Sequence, residues 1–318
     1  MNILSETRRH VRSFLDFTRT VAREAKLPAP TFDEAVRIAR LRASFAALPP
    51  PEEDGAGTEQ EWMRYRREVR SFIASRDPRL FIQWRLIAST MFFRGNDDEL
   101  RYLQGLPASA GCMDAIAESP IGAPDRYPAY PQSSGNLIHH AYSIAQLEQA
   151  FDMSVRSLET VVEFGGGYGS LARYVYQSGF DGNYVILDLP EFSLLQEYFL
   201  TSLTDLQLVV ERTGHPASRR AVSLMSSPSE YSSRLAGQPL DLFIATWSLS
   251  ESPVPFRDMI MEITGAPKFF LIAYHEKFNG IDNRAYFEAF AANRNDYTWL
   301  EYPIKHVPTS RYLLGRRK

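Results

Sequence analysis

Apolar positions recur at helical spacing through the first part of the chain and in short dense runs through the second half. Val11, Phe14, Leu15 and the Val21-Ala22 pair fall near a 3.6-residue period, which predicts a first helix. Thr31-Phe-Asp-Glu34 has the form of a capping box opening a second. Pro49-Pro-Pro-Glu-Glu-Asp-Gly55 is a solvated, turn-rich break. A third helix is expected from about Glu59 to Ser75. A fourth follows Asp77-Pro78, with Leu80, Trp84, Ile87 and Met91 on one face. From Gly105 to Asn136 the chain carries Pro107, Pro120, Pro124, Pro128 and Pro131 together with Gly111, Gly122 and Gly135. An irregular stretch of this length is a lid over a site or a linker. Ser143-Ile-Ala-Gln146 then reads as a helix start, with Ile144, Leu147 and Phe151 facing a core.

After residue 158 the rhythm becomes strand, turn, helix. Thr160–Phe164, Tyr184–Leu187, Ala221–Met225, Leu240–Ala245 and Phe269–Ala273 are strand candidates, and helices are expected over Ser170–Ser178 and near Phe192–Ser202. Tyr297–Pro303 and Arg311–Gly315 can pair as an antiparallel end. This alternation predicts an α/β fold with a mostly parallel sheet and helices on both faces. Two regions follow: residues 1–135, helical with an irregular lid segment, and residues 136–318, bearing the sheet and the ligand site.

Composition narrows the function. With 35 Lys and Arg against 38 Asp and Glu, the net charge of −3 offers no general attraction to nucleic acid or to an anionic membrane. The basic run Arg64-Tyr-Arg-Arg-Glu-Val-Arg70 reads as the wet face of a helix. One cysteine, Cys112, excludes an internal disulfide and a cysteine-based zinc site. Arg8, Arg9, Arg12, Arg19 and Arg23 interrupt the first thirty residues, so no signal core is expected there. No uncharged apolar run approaches the ~20 residues of a membrane span, and a cytoplasmic protein is expected.

The densest chemistry lies in Thr160-Val-Val-Glu-Phe-Gly-Gly-Gly-Tyr-Gly-Ser-Leu-Ala-Arg-Tyr174. A strand runs into glycines, which let the backbone turn sharply and approach a ligand without a Cβ in the way. The helix behind them offers oriented N–H groups. So far any nucleotide-like ligand fits. Asp188 ends the second strand, 25 residues after Glu163, where a carboxylate can accept both hydroxyls of a ribose. Glu163, immediately before the loop, is the discriminator. It would repel a pyrophosphate but suits a ligand bearing an ammonium and a sulfonium. The dinucleotide fingerprint also fails in part, because Ser170 stands where Gly or Ala is required.

Glu163-x-Gly165-x-Gly167-x-Gly169 followed by Asp188 resembles the signature of class I S-adenosylmethionine-dependent methyltransferases. The fuller strings, Glu-Phe-Gly-Gly-Gly-Tyr-Gly-Ser-Leu-Ala-Arg and Leu-Asp-Leu-Pro-Glu191, resemble the sugar O-methyltransferases of antibiotic biosynthesis (the NanM-like group), over about residues 135–315. The resemblance implies a Rossmann-like seven-stranded sheet whose last strand is antiparallel. It implies that Glu163, Gly165, Gly166, Gly167 and Gly169 hold the methionyl part of the cofactor and Asp188 the ribose, with Phe164 and Leu189 beside them. Adenine would then lie near Ser226-Ser227, where the family often has an acid. An ordinary turn at Ser226-Ser-Pro228 fits as well. Trp247 either covers the cofactor or is a core aromatic.

Methyl transfer to a hydroxyl needs alignment and a proton acceptor. Ligands in such sheets lie beyond the carboxyl ends of the strands, which favours Glu251 after the fourth strand and His275 after the fifth. His139-His140 can reach the site from the lid, so His140 is a third candidate. A divalent metal is not expected, although Asp282-Asn283 with Glu251 and His275 would suit magnesium. The expected acceptor is a small molecule carrying a sugar hydroxyl, and self-association would run through the N-terminal helices. The alternatives are a phenolic acceptor and a non-catalytic cofactor-binding partner. Plant-type phenolic O-methyltransferases place a catalytic His just after strand four, where this chain has Trp247-Ser-Leu-Ser250.

Overall fold

A computed structural model of the chain describes residues 20–51, 58–107, 111–212 and 219–318. Most of the predicted first helix lies outside the described residues, and only a helical stretch at 20–24 remains of it. Helix α1 (Phe32–Ala47) opens on the full reciprocal capping box of Thr31 and Glu34. Helix α2 spans Thr58–Ser75. The expected fourth helix is broken. Asp77 caps a 3-10 turn over Pro78–Gln83, Trp84 is extended (φ −65°, ψ 136°), and α3 covers only Arg85–Thr90. Leu80, Phe81, Ile82 and Trp84 are all buried, a run rather than a stripe, so side-chain burial on every side overrides the helical period.

Helices α4 (Asp97–Gln104) and α5 (Cys112–Ala115) precede the long α6 (Gly135–Phe151). Ser143 does not open α6. Ser134 caps it through the Leu137 amide at 3.1 Å, and the Ser143 hydroxyl sits in mid-helix, donating to the His139 carbonyl at 3.0 Å. His139 and His140 therefore ride on a helix. The proline-rich segment is pinned where it is described: buried Arg173 donates to Glu118 at 2.9 Å and to the Ala117 carbonyl at 2.6 Å.

Strand β1 (Thr160–Phe164) leads into α7 (Ser170–Gln177), and β2 (Asn183–Leu187) into α8 (Pro190–Ser202). Then come β3 (Val209–Glu211), β4 (Ala221–Met225), α9 (Pro228–Leu235), β5 (Leu242–Thr246), α10 (Val254–Thr264) and β6 (Phe269–His275). A small hairpin of β7 (Lys277–Phe278) and β8 (Ile281–Asp282), helix α11 (Asn283–Ala292), β9 (Tyr297–Pro303) and β10 (Ser310–Arg317) complete the chain. The main sheet has the order β3-β4-β2-β1-β5-β6-β10-β9. All its pairs are parallel except those of β10, which runs antiparallel to β6 and β9. The expected Rossmann-like α/β fold is present, with eight strands instead of seven. The addition is β3, a three-residue edge strand too short to show a period of its own.

Alternate residues of each strand feed two separate cores, as a sheet covered on both faces requires. Val161, Ile186, Leu224, Ile244 and Leu271 pack with the N-terminal helices, α6 and α7. Val162, Val185, Phe243, Phe270 and Leu313 pack with α9, α10 and α11. The N-terminal region contributes directly to the first core. Phe81 is fully buried with its ring 5.5 Å edge-on to Tyr168, inside the glycine loop, and 5.9 Å from Phe199. Part of the basic run is not wet. Arg66 and Arg70 donate at 2.6 and 2.7 Å to Glu191, whose carboxylate is fully buried in the first turn of α8.

Candidate cofactor and proton-transfer site

Strand order reverses between β1 and β5, which opens a crevice beyond their carboxyl ends. The glycine loop fills the floor of that crevice. Gly165, Gly167 and Gly169 adopt φ of +76°, +57° and +93°, values that favour glycine. A Cβ on Gly165 would collide with the Ser248 side chain, and one on Gly166 would lie 2.6 Å from the Ile186 side chain. The loop is thus pressed against β2 and the β5 turn, with the N-terminus of α7 behind it.

Glu163 is 2% exposed and accepts a 2.8 Å hydrogen bond from Tyr184. Burial pushes its carboxyl up to about 8; the Tyr184 bond opposes that rise and nearby Asp188 adds to it. Asp188 follows the end of β2. Its Oδ2 accepts from the Gly167 amide at 3.1 Å and from Gln196 at 2.8 Å, and its Oδ1 from the Leu189 amide at 2.7 Å. Burial raises this carboxyl to about 7, against the pull of those bonds. Oδ1 retains an acceptor position for a further donor. No basic side chain among the described residues pairs with either acid. Two carboxyl groups held near neutrality around a glycine loop make a site that a cation would complete.

The other predicted residues spread around this floor. Phe164 turns its ring to Phe256, 6.0 Å away in the second core, and its carbonyl accepts from Ser248, so it meets the crevice through backbone. Leu189 is half-buried and precedes α8 as its N-cap residue. Ser226 contacts Ser193 at 3.3 Å, while Ser227 caps α9 and Glu230 returns to the Ser226 amide at 2.9 Å. Trp247 holds φ +65°, an unusual conformation for a bulky residue, at the end of β5. Its indole N–H donates to Ser310 at 3.3 Å.

His275 and Glu251 converge. His275 Nε2 lies 3.5 Å from Glu251 Oε1, and Nδ1 lies 3.2 Å from the same Ser310 hydroxyl that holds Trp247. Phe278 stacks on the imidazole at 6.0 Å and 12°. The metal set weighed with this pair does not assemble. Asn283 is fully buried and bonds Arg257 at 2.7 Å and the Ser250 carbonyl at 3.2 Å, and Asp282 caps α11. His140 has its Nε2 3.2 Å from the Asn136 side-chain amide. Burial, with neighbouring His139 adding to it, drives His140 down to about 3, so it is a neutral imidazole.

Several participants escaped the sequence reading. Gln196 ties Asp188 to the Gly167 carbonyl at 2.9 Å, and its spacing, two helical turns beyond Asp188, was a usable signal. Asn136 donates to Tyr168 at 2.9 Å and approaches Ser170 at 3.2 Å, locking α6 to the glycine loop. Nothing in local sequence marks Asn136, Tyr184 or Ser310.

No protein-family model matches the chain, and no curated protein matches it. Among solved structures it is similar to magnesium protoporphyrin IX methyltransferase from Synechocystis PCC 6803 with bound SAH. Identity there is 15% and the TM-score 0.38, over 57% of this chain and 83% of that one. It is also similar to an rRNA methylase from Streptococcus thermophilus, at 13% identity and TM-score 0.38 over 57% of this chain and 94% of that one. A third likeness is to precorrin-6y C5,15-methyltransferase from Geobacter metallireducens GS-15, at 12% identity and TM-score 0.34, covering 56% and 87%. Among the described residues no helix is long and apolar enough to cross a membrane.

Proposed function

We propose that this chain is an S-adenosylmethionine-dependent O-methyltransferase acting on a hydroxyl of a sugar or glycosylated natural product. The observation that carries the reading is the pair of acids, buried Glu163 and half-buried Asp188, with no cationic partner among the described residues, beside a strand–glycine–helix turn. S-adenosylmethionine brings an ammonium and a sulfonium to such a site, where a pyrophosphate would bring more negative charge. Glu163 would hold the ammonium, and Asp188 would accept from the ribose hydroxyls. Bound there, S-adenosylmethionine would supply its sulfonium methyl group to the acceptor oxygen and would leave as S-adenosylhomocysteine. The hydroxyl proton goes to the His275–Glu251 pair, whose Nε2 and Oε1 lie 3.5 Å apart, so that either member can hold it.

The sugar acceptor rests on the resemblance of the glycine-loop and Asp-Leu-Pro strings. A phenolic acceptor is the second reading, favoured by the Trp247 and Phe278 rings near His275, at 6.2 and 6.0 Å. Exposed Phe32 and Val36, one turn apart on α1, support self-association through the N-terminal helices. Transfer of tritiated methyl to a panel of glycosides and phenols tests the function. Glycoside labelling supports the first reading and phenol labelling the second. Cofactor binding without transfer to either leaves a non-catalytic binding protein, and no cofactor binding removes all three.

A further inference from the structure

Glu99, on α4, is fully buried, and the only side chains bonded to it among the described residues are two imidazoles. His139 Nδ1, from α6, and His306 Nε2, from the turn between β9 and β10, both contact its Oε1, the latter at 2.7 Å. The second carboxylate oxygen, Oε2, is buried with no hydrogen-bond partner among the described residues. A fully desolvated carboxylate of this kind calls for positive charge, and no lysine or arginine among the described residues pairs with it.

We propose that Glu99, His139 and His306 form a binding site for a late first-row divalent cation of the Zn²⁺ type. The ligand atoms lie within 4.8 Å of one another, so a small adjustment of the imidazoles away from Oε1 admits an ion at ordinary bond lengths. Two nitrogens and a carboxylate match zinc, cobalt or ferrous iron, whereas magnesium and calcium select oxygen. A bidentate carboxylate uses the orphaned Oε2 and completes four donor atoms.

The rings around the cluster fix its ligands. Phe93 lies 4.2 Å from the His139 ring on one side and Trp247 5.1 Å on the other, and the Tyr142 ring meets His306 edge-on at 5.3 Å. This apolar wall keeps water from the ion and holds both imidazoles in orientation. Because Glu99 and His306 are 207 residues apart in sequence, the ion clamps the N-terminal helices to the final hairpin. The Trp247 ring touches both His139, at 5.1 Å, and His275, at 6.2 Å, and neither His275 nor Glu251 belongs to the cluster. The site stands independently of the methyltransferase reading.

The test uses the full chain, stripped with a chelator and titrated with Co²⁺ alone. A visible d–d band saturating at one ion per chain is expected, displaced by Zn²⁺. Saturating Zn²⁺ should raise the melting midpoint by about 5 °C over the stripped protein. His306→Ala and Glu99→Gln should lose the band, and His275→Ala should keep it. His306→Gln retains a donor to Glu99 and preserves the fold if the alanine variant does not. No band in the native chain, or a band lost with His275 and retained without His306, overturns the proposal. S-adenosylmethionine affinity measured on the same samples reports separately on the proposed function.

Discussion

Glu163 permits a quantitative test of the cofactor site. Its carboxyl is pushed up to about 8, chiefly by burial, from an ordinary value of 4.5. An ammonium ligand needs the ionised form. At about pH 6 only about one molecule in a hundred carries it, at pH 7 about one in eleven, and at pH 8 about half. Ionising Glu163 on binding therefore costs about 2.7, 1.4 and 0.4 kcal/mol at those three pH values. The dissociation constant for S-adenosylmethionine should tighten about tenfold from pH 6 to 7 and roughly fivefold from 7 to 8, with up to one proton released. Free protein shows the opposite dependence. Its raised pKa means the folded state keeps a proton that the unfolded state has lost, so stability falls as pH rises from about 4.5 to about 8. Calorimetric titration in buffers of different ionisation enthalpy measures both affinity and proton release. The cofactor's own amine titrates in the same range, so the readout is the difference between the native chain and Glu163→Gln. Identical pH profiles for the two would refute the reasoning.

Asp188→Ala should weaken cofactor binding by ~1.5–3 kcal/mol for each charge-assisted hydrogen bond lost; unchanged affinity in a titration would remove Asp188 from the ribose. His275→Ala should lower kcat by about 10²–10⁴-fold at nearly constant cofactor affinity, and normal turnover would eliminate it as the base. Arg173→Met should destabilise the chain by ~3–5 kcal/mol in urea denaturation, because Glu118, 5% exposed, loses its buried cation; a loss below ~1 kcal/mol would contradict this account. Phe81→Ala should cost ~3–5 kcal/mol and loosen Tyr168, read as a lower denaturation midpoint together with weaker cofactor binding.

Local spacing carried much of this molecule. The capping box at Thr31, the β-branched run into Gly165, the alternating strands and the Glu163–Asp188 interval are each written within a few turns of chain, where pattern and geometry are one statement. Errors arose where burial on all sides erased the pattern. The fourth helix broke at Trp84 because its flanking residues point into one core from every direction. Helix α6 began earlier than expected because Ser143 bonds within the helix instead of capping it.

What only the tertiary structure decided is which charged groups meet. Arg66 and Arg70 reach Glu191 across more than a hundred residues, Tyr184 reaches Glu163 from a neighbouring strand, and His306 reaches Glu99 from the far end of the chain. Glu251 and His275 could be placed on adjacent strand ends from sequence, but their 3.5 Å approach depends on how the two turns pack. Secondary structure follows from backbone preferences over a few residues. The state of a buried carboxylate depends on water excluded by segments distant in sequence, and that exclusion exists only once the chain has folded.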